Sequence, residues 1–237
     1  LGALICIFNL NHVMLVKPLP YPNSDKLMVV QQSYTVEGNT YSGSNSLPGM
    51  LTWYKNQSVL SKFGLVLDIK QLIADHPEQP TALVNFVTPE YFELLKPPMT
   101  LGRVIDNNEG VESHQPVAVI SHSAWKNWYA ADQNIIGRKA MVGHISYKII
   151  GVTGENFVIP PNRYNESADV WVPWDHVTMD KTNWGIMTRA LSAIGILNDG
   201  VSLIEAESTL GTMLNDQYQA SGHAVEGDIA GAKIIEY

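Results

Sequence analysis

The chain has 237 residues, of which 45% are hydrophobic and 16% charged, and its net charge is -8 at pH 7. The apolar share can offset chain entropy, which argues against disorder. The negative charge argues against nucleic-acid binding and against docking on anionic lipid, because both need a basic surface.

The first segment, residues 1–16, is an apolar run interrupted by Asn9, Asn11 and His12. It is shorter than the roughly 20 apolar residues that span a bilayer, and it lacks the basic region and cleavage site of a signal peptide. We interpret it as the outer end of a transmembrane helix, with an ordinary buried helix as the alternative. Cys6, the one cysteine of the chain, excludes an intrachain disulfide and is interpreted as a membrane or core residue.

Three prolines within residues 17–22 exclude a helix and force an extended path out of this segment. A short apolar strand is predicted over 27–31. Residues 32–45, rich in Ser, Gly, Asn and Thr, predict an exposed loop.

The next elements predicted, in order, are a helix from Ser46, strands over 63–74 and 81–88 around a turn at 75–80, and a helix over 89–95. Pro48 in the first turn supports the first helix. Thr88 followed by Pro89 predicts the start of the second, with the hydroxyl as N-cap and proline at the first helical position.

A second lobe is predicted to begin near residues 101–103. Its predicted elements are a strand over 116–120, a helix capped by Ser121, a hairpin of 139–142 and 145–152, and a strand over 169–173, with 164–184 mostly loop. After it come a strand over 189–197, a turn at 198–200, a helix and a final strand over 233–237.

The last helix has the clearest signals. Ser202 with Glu205 three residues later is a capping box. The residues behind it place one apolar face on a sheet, namely Leu203, Ala206, Leu210, Met213 and Leu214. Strands mix with helices without strict βαβ alternation, so the predicted fold class is α+β.

The sequence contains none of the common catalytic or metal signatures: no phosphate-binding loop, dinucleotide turn, His-Glu-x-x-His pair or Gly-x-Ser-x-Gly elbow. Ser121, His122 and Ser123 bring hydroxyls beside an imidazole, but Ser121 is already explained as a cap. Asp169 and Asp175 flank a strand as a candidate carboxylate pair, although a turn cap and a solvated side chain are the plainer interpretation.

The histidines are scattered and predict solvated side chains rather than a metal site, although His114 and His122 can meet in space. They are His12, His76, His114, His122, His144, His176 and His223.

Tryptophans are concentrated in the second lobe, at Trp125, Trp128, Trp171, Trp174 and Trp184. Exposed indoles suit a carbohydrate or lipid platform, whereas buried ones fill a core. We expect Trp125 and Trp171 in the core. For Trp174 and Trp184, contact with cargo or a partner and packing remain open alternatives.

Several segments, taken in order, resemble the periplasmic core domain of MacB-type ABC transporter permeases. The segments that carry the resemblance are 7–9 and 16–22 with 25–27, Phe86–Phe92 with 101–103, Pro116–His122 with Trp125, 136–138 with 147–152, Ala168–Pro173 and Gly200–Leu203. No one of these motifs is diagnostic; their ordered spacing carries the likeness.

The resemblance implies a domain outside the cytoplasm, inserted between two transmembrane helices and without a cofactor or catalysis of its own. It implies a discontinuous porter-like α/β lobe, residues 17–99 and 186–237, with a small strand-rich lobe inserted at 100–185. Its implied partners are a cytoplasmic ATPase, a second permease copy and, as a further candidate, a periplasmic adaptor. Motion of the membrane helices would then move cargo outside the inner membrane, a mechanism known as mechanotransmission.

From exposure, cargo or adaptor contacts are expected in residues 32–45 and 154–184. One alternative function is a ligand-sensing domain of a membrane receptor, which a signalling module beyond residue 237 would favour. Another is a secreted hydrolase, which requires a cleft joining Ser121, a histidine and a carboxylate.

Overall fold

A computed structural model describes residues 21–236, which form a mixed α/β fold with 13 strands and four α-helices. The α+β prediction is confirmed. The predictions for residues 1–16, including Cys6 and His12, and for residues 17–20 and 237 concern residues outside this range.

The predicted helices and strands occur in the predicted order, and four short strands that were not predicted lie among them. The strands are β1 Met28–Val36, β2 Asn39–Ser42, β3 Asn45–Ser46, β4 Leu60–Leu72, β5 Thr81–Val87, β6 Met99–Gly102, β7 Val117–Ile120, β8 Lys139–Val142, β9 Ile145–Thr153, β10 Val170–Pro173, β11 Met187–Thr188, β12 Leu191–Leu197 and β13 Ile229–Glu236. The helices are α1 Leu47–Asn56, α2 Pro89–Leu95, α3 His122–Tyr129 and α4 Leu203–Ala220.

Eleven strands form one sheet in the order β13-β1-β12-β4-β5-β10-β7-β9-β6, with β2 beside β1 and β8 beside β9. Its neighbours are antiparallel except at β5–β10 and β7–β9, which are parallel. Strands β3 and β11 form a separate antiparallel pair. The sheet is therefore mixed and runs through both predicted lobes.

The strands sort by the predicted division of the chain. Those from residues 17–99 and 186–237 build the half from β13 to β5, and those from 100–185 build the half from β10 to β9. Strand β6 crosses the limit at residue 99, and the two halves join where Val84 to Val87 pair with Val170 to Pro173. The lobe limits themselves stay a prediction.

Apolar side chains cover both faces of this sheet. One face packs against α1, α3 and α4, where Trp53, Trp125 and Leu210 are buried. The other face packs against α2 and the chain around residues 157–168, where Phe92 and Trp171 are buried. Alternate residues of β4 face opposite cores, as a strand's two-residue period requires, so Leu65 and Leu67 lie in the first core and Val66 in the second.

The loop predicted over 32–45 is wrong, because β1 continues to Val36 and returns as β2. The polar residues that suggested a loop form a buried network of hydrogen bonds instead. Gln32 is 0% exposed, and its Oε1 accepts hydrogen bonds from Ser46 N at 2.8 Å and from Tyr34 Oη at 2.6 Å. Asn45 Oδ1 accepts from Gln32 N at 2.7 Å. Polar side chains are stable in a core when their hydrogen bonds are satisfied in this way.

The predicted caps Ser121 and Ser202 are confirmed, and Ser46, predicted as the start of a helix, is a cap as well. The hydroxyls of Ser46, Ser121 and Ser202 accept hydrogen bonds from the backbone N–H groups three residues later, at 3.3, 3.0 and 3.2 Å. The helix start at Thr88 and Pro89 is confirmed, but Thr88 makes no side-chain cap hydrogen bond, so the predicted hydroxyl cap is wrong. The Thr88 hydroxyl accepts instead from Leu65 N in β4 at 3.0 Å, so Thr88 fastens the start of α2 to the sheet.

Strand β6 was not predicted from the sequence because it has four residues and follows two prolines. Gly102 ends it with φ +64°, and a Cβ there would lie 2.1 Å from the carbonyl oxygen of Ile150. Glycine is therefore required by both the backbone angle and the close approach. Within residues 21–236, every helix is too short or too polar to cross a bilayer.

Candidate functional site

The two ends of the described chain lie side by side in the sheet. Strands β1 and β13 pair antiparallel over eight residue pairs, from Met28 with Glu236 to Thr35 with Ile229. The chain therefore enters through β1 and leaves through β13 at the same end of one two-stranded unit. Any displacement applied to both ends reaches the rest of the sheet through this pair.

The entry to β1 is anchored by Tyr21. Its side chain is buried, and its hydroxyl donates a hydrogen bond to the carbonyl oxygen of Val158 at 2.9 Å. Val158 belongs to residues 157–166, a segment that crosses over the second face of the sheet and that we call the strap. Displacement of the entry segment therefore acts on the strap as well as on β1.

The strap is held to β4 at its other end. Lys70 Nζ lies 2.7 Å from Glu166 Oε1 and 5.0 Å from the centroid of the Tyr164 ring. Within the strap, Asn162 Oδ1 accepts from Tyr164 N at 2.9 Å, and its amide donates to Glu166 O at 2.6 Å. The strap is thus an ordered bridge between the inserted segment and β4.

Beneath the strap, β4 and β5 hold a buried pair of polar side chains. Asp68 and Asn85 are direct cross-strand partners, 3% and 0% exposed, and Asn85 Nδ2 donates to Asp68 Oδ1. Asn85 Oδ1 has no hydrogen-bond partner within residues 21–236. Burial raises the pKa of Asp68 to about 7, and the Arg163 guanidinium opposes this rise.

A cavity of about 240 Å³ lies between Asp68 and the strap. Its floor takes one pair of alternate residues from each of three adjacent strands, which are Val29 and Gln31, Ser192 and Ile194, and Val66 and Asp68. Its roof is formed by residues 159–162, including two prolines.

Ser121, His122 and Asp169 do line one cleft, of about 190 Å³, so the hydrolase alternative meets its first requirement. The geometry inside it is not that of a nucleophile and its base. The Ser121 hydroxyl caps α3, and Asp169 Oδ2 accepts from Leu83 N at 2.9 Å. His122 Nδ1 lies 4.0 Å from Glu155 Oε1, and no hydroxyl–imidazole hydrogen bond occurs in the cleft residues.

The plain interpretations of the two aspartates are corrected. Asp169 bonds a strand and not a turn. Asp175 is not solvated: its side chain is 2% exposed, and its carboxylate accepts from Glu112 N at 2.7 Å and from His114 N at 2.9 Å. Burial alone would raise the pKa of Asp175, but these N–H groups outweigh it and hold the pKa below its usual value.

The histidines of residues 21–236 are exposed or half-buried, as predicted; they are His76, His114, His122, His144, His176 and His223. His114 pairs with Asp175 at 3.8 Å and His122 with Glu155, so they are engaged with different carboxylates. In the part of the chain that the structure describes, no three His, Cys, Asp or Glu side chains are grouped as a metal site requires.

All five tryptophans of residues 100–185 pack in or against a core. Trp125 and Trp171 are buried, as expected. Trp174 and Trp184 are 2% and 9% exposed, and the Trp184 ring lies 5.7 Å from that of Tyr218 in α4. Burial favours packing for both; contact with cargo stays a prediction, and it needs a movement that exposes the indoles.

Sequence reasoning missed the Asp68–Asn85 pair, although a signal was present. A lone carboxylate stands inside the apolar run of residues 63–69, and a lone amide stands inside the next strand. Buried charges are rare unless paired, so one charge and one amide facing each other on neighbouring strands mark a built pair.

Comparison with known proteins gives a consistent picture. The family model of the MacB-like periplasmic core domain matches residues 1–212. A curated relative, the probable export ATP-binding/permease protein MacB of Pseudomonas entomophila, is 30% identical over 95 residues. That stretch covers 39% of this chain and 13% of the relative.

Three solved structures share the fold at low sequence identity. The periplasmic region of MacB from Actinobacillus actinomycetemcomitans aligns with TM-score 0.60 and 16% identity, covering 90% of this chain and 89% of its own. A domain of a permease protein from Porphyromonas gingivalis gives 0.66 and 13%, covering 92% of each chain. The extracellular domain of the transporter YknZ from Gram-positive bacteria gives 0.60 and 15%, covering 85% and 98%.

Proposed function

The chain belongs to the family of MacB-like periplasmic core domains, and from this we propose that it couples ATP hydrolysis in the cytoplasm to movement of cargo outside the inner membrane. In this proposal the domain does no chemistry of its own. It receives motion from membrane helices at its two ends and passes that motion to the surface that meets cargo.

The observation that carries the proposal is the pairing of the two ends. Met28 pairs with Glu236, and the paired strands lie at one edge of the sheet. Two membrane helices attached to these ends would move β1 and β13 as one unit, because the backbone hydrogen bonds of the ladder join the two strands. A domain between two membrane helices needs both of its ends on the membrane side, and this pairing brings the two ends together.

The entry path adds a second connection. The prolines of residues 17–22 favour an extended and stiff chain, which transmits displacement better than a flexible linker. Tyr21, within this stretch, bonds the strap, so motion at the entry acts on residues 157–166 directly.

We propose the following partners for the whole protein. A cytoplasmic ATPase drives it, a second permease copy completes it, and a periplasmic adaptor is a further candidate. Residues 1–16 would form the outer end of the first membrane helix. Cargo or adaptor contacts are proposed in the exposed parts of residues 154–184. They are proposed also in the segment 32–45, where residues 39–42 form an exposed strand and not the predicted loop.

A flexible insertion tests the coupling. Six Gly/Ser residues between Pro20 and Tyr21 would leave the sheet and the Tyr21–Val158 hydrogen bond intact but separate both from the stiff proline segment. In the full-length protein with its ATPase in nanodiscs, a spin label replaces exposed Tyr41, with Cys6 changed to Ser. We expect the ATP-dependent change in label–label distance between copies to disappear while ATP hydrolysis persists.

The matched control places the same six residues at Gly38, an exposed turn where a Cβ would meet no atom within 4 Å. This variant should keep the full ATP-dependent change. If the insertion before Tyr21 also keeps it, the proposed path of coupling is wrong. If neither the parent nor the variants show an ATP-dependent change in label–label distance, coupling is rejected and the ligand-sensing alternative is favoured.

A further inference from the structure

The cavity beneath the strap is lined by one buried carboxylate, that of Asp68, which is 3% exposed. Asp68 carries two carboxylate oxygens, of which Oδ1 receives one hydrogen bond, from Asn85. Asn85, which does not itself line the cavity, leaves its Oδ1 without a hydrogen bond within residues 21–236. A buried carboxylate with so few hydrogen bonds is costly, so a donor group that entered the cavity would stabilise it.

From this buried carboxylate at the cavity wall we propose that the cavity binds a small ligand through a primary ammonium group, with Asp68 as its counter-ion. An ammonium supplies three N–H donors around one positive charge, which matches a carboxylate with open lone pairs beside a hydroxyl. The inference does not depend on the coupling function proposed above.

The residues of the cavity walls indicate the chemistry of the ligand behind its ammonium group. Val29, Val66, Ile159 and Ile194 line the space with aliphatic groups, and two prolines close the roof. A volume of about 240 Å³ admits a short alkyl chain behind the charged head. An anion is disfavoured by Asp68, and a metal ion lacks ligands, since no metal-binding group of three side chains is found among residues 21–236.

The charges around Asp68 are compatible with a cationic guest. Lys70 is held by Glu166, with Nζ 2.7 Å from Oε1. Arg163 on the strap is exposed, and its guanidinium lies 4.9 Å from the Tyr164 ring centroid. Neither cation forms an ion pair with Asp68 at 4 Å or less in the described chain, so the counter-ion position beside the carboxylate is open.

The test uses the 237-residue chain and n-butylammonium chloride, with n-butanol as the uncharged probe of the same length. Titrations at about pH 8 keep the amine protonated while Asp68 is ionised, because burial raises the pKa of Asp68 to about 7. Two-dimensional NMR follows the side-chain amide of Asn85 and the backbone amides of Ser192 and Ile194. We expect saturable shifts at these groups, at least tenfold weaker for n-butanol.

Two variants and one control make the result decisive. Asp68→Asn keeps the shape and removes the charge, so affinity for n-butylammonium should fall at least tenfold. Ser192→Leu fills the floor without touching the carboxylate and should abolish binding of both probes, which preserves the test if Asp68→Asn does not fold. Asp199→Asn, at an exposed carboxylate, should bind as the parent does.

The contrary outcomes are equally clear. Equal binding of n-butanol would mean an apolar cavity without a cation site. Undiminished binding by Asp68→Asn would reject the counter-ion, and the absence of any saturable shift would mean that the cavity holds water alone.

Discussion

Asp68 is a carboxyl group that folding removes from water, and its surroundings favour the protonated form. Its pKa in the folded chain is about 7, against an ordinary value of 3.8, with burial as the main cause. The native state therefore binds this proton more tightly than the unfolded state. Its contribution to stability is complete below about pH 4 and is lost as pH rises toward about 7.

We accordingly expect Asp68→Asn to change the pH dependence of stability. Each unit of pKa difference corresponds to about 1.4 kcal/mol, so the variant should gain up to a few kcal/mol over the parent at about pH 8. Near pH 4 the two should be alike, because a protonated Asp resembles Asn. Urea unfolding at a series of pH values measures this difference. A constant difference across the range would contradict a buried, titrating Asp68.

Arg103 stabilises the fold by pairing with a buried carboxylate, so its removal should lower the free energy of unfolding. Its guanidinium forms two hydrogen bonds with Glu109, at 2.9 and 2.6 Å, and the Glu109 side chain is 7% exposed. Arg103→Ala leaves that carboxylate buried without its partner, which costs about 1–3 kcal/mol. Urea unfolding of this variant should show the loss at neutral pH.

Two further variants test whether the loss comes from the Arg103–Glu109 ion pair. Arg189→Ala removes an exposed arginine for which no ion pair is observed in residues 21–236, so its stability should match the parent. Adding Glu109→Gln to Arg103→Ala should recover part of the loss, since the unpaired charge is gone. No recovery would mean that Arg103 acts through packing of its stem.

At the scale of elements, Gln32 fastens α1 and β3 to β1. Its amide donates to Ser46 O at 3.1 Å, and its Oε1 accepts from Ser46 N and from the Tyr34 hydroxyl. Asn45 then donates to Leu191 O at 2.7 Å, which continues the network to β12. One side chain thus holds the start of a helix against the sheet near its β13 edge.

Gln32→Ala should therefore destabilise the fold by about 2–4 kcal/mol, because it leaves several buried polar groups unpaired. Thermal unfolding monitored by circular dichroism gives the change. Gln217→Ala, at an exposed position of α4, is the matched control and should be near neutral. A loss for Gln32→Ala no larger than that of the control would show that water replaces the network.

The same network marks the limit of sequence reasoning. Elements with apolar periodicity, such as α4 and β5, were predicted from local pattern because their buried faces are apolar. Gln32 and Asn45 lie in polar sequence, and only partners 13 to 146 residues away make their burial stable. The Asp68–Asn85 pair was missed for the same reason. The contact between Asp68 and Asn85 depends on the register of two strands, which composition does not specify.

At the scale of the whole molecule, the sheet joins segments that the sequence divides into two lobes. The parallel pairing of β5 with β10 spans this division, and both cores contain residues from each side of it. Apolar packing and hydrogen bonding are continuous across the junction. Separate unfolding of either lobe would expose that packing and the edge of the strand left behind.

We therefore expect residues 21–236 to unfold as one cooperative unit, with equal calorimetric and van't Hoff enthalpies in scanning calorimetry. Ile149→Ala, at a fully buried position of β9, should cost about 2–5 kcal/mol and lower that single transition. Hydrogen exchange should then accelerate equally in β12, on the far side of the junction. Ile136→Ala, at an exposed position of the same lobe, should change neither. Two transitions, or acceleration confined to residues 100–185, would show instead that the lobes are independent and that the shared sheet is not a rigid path for motion.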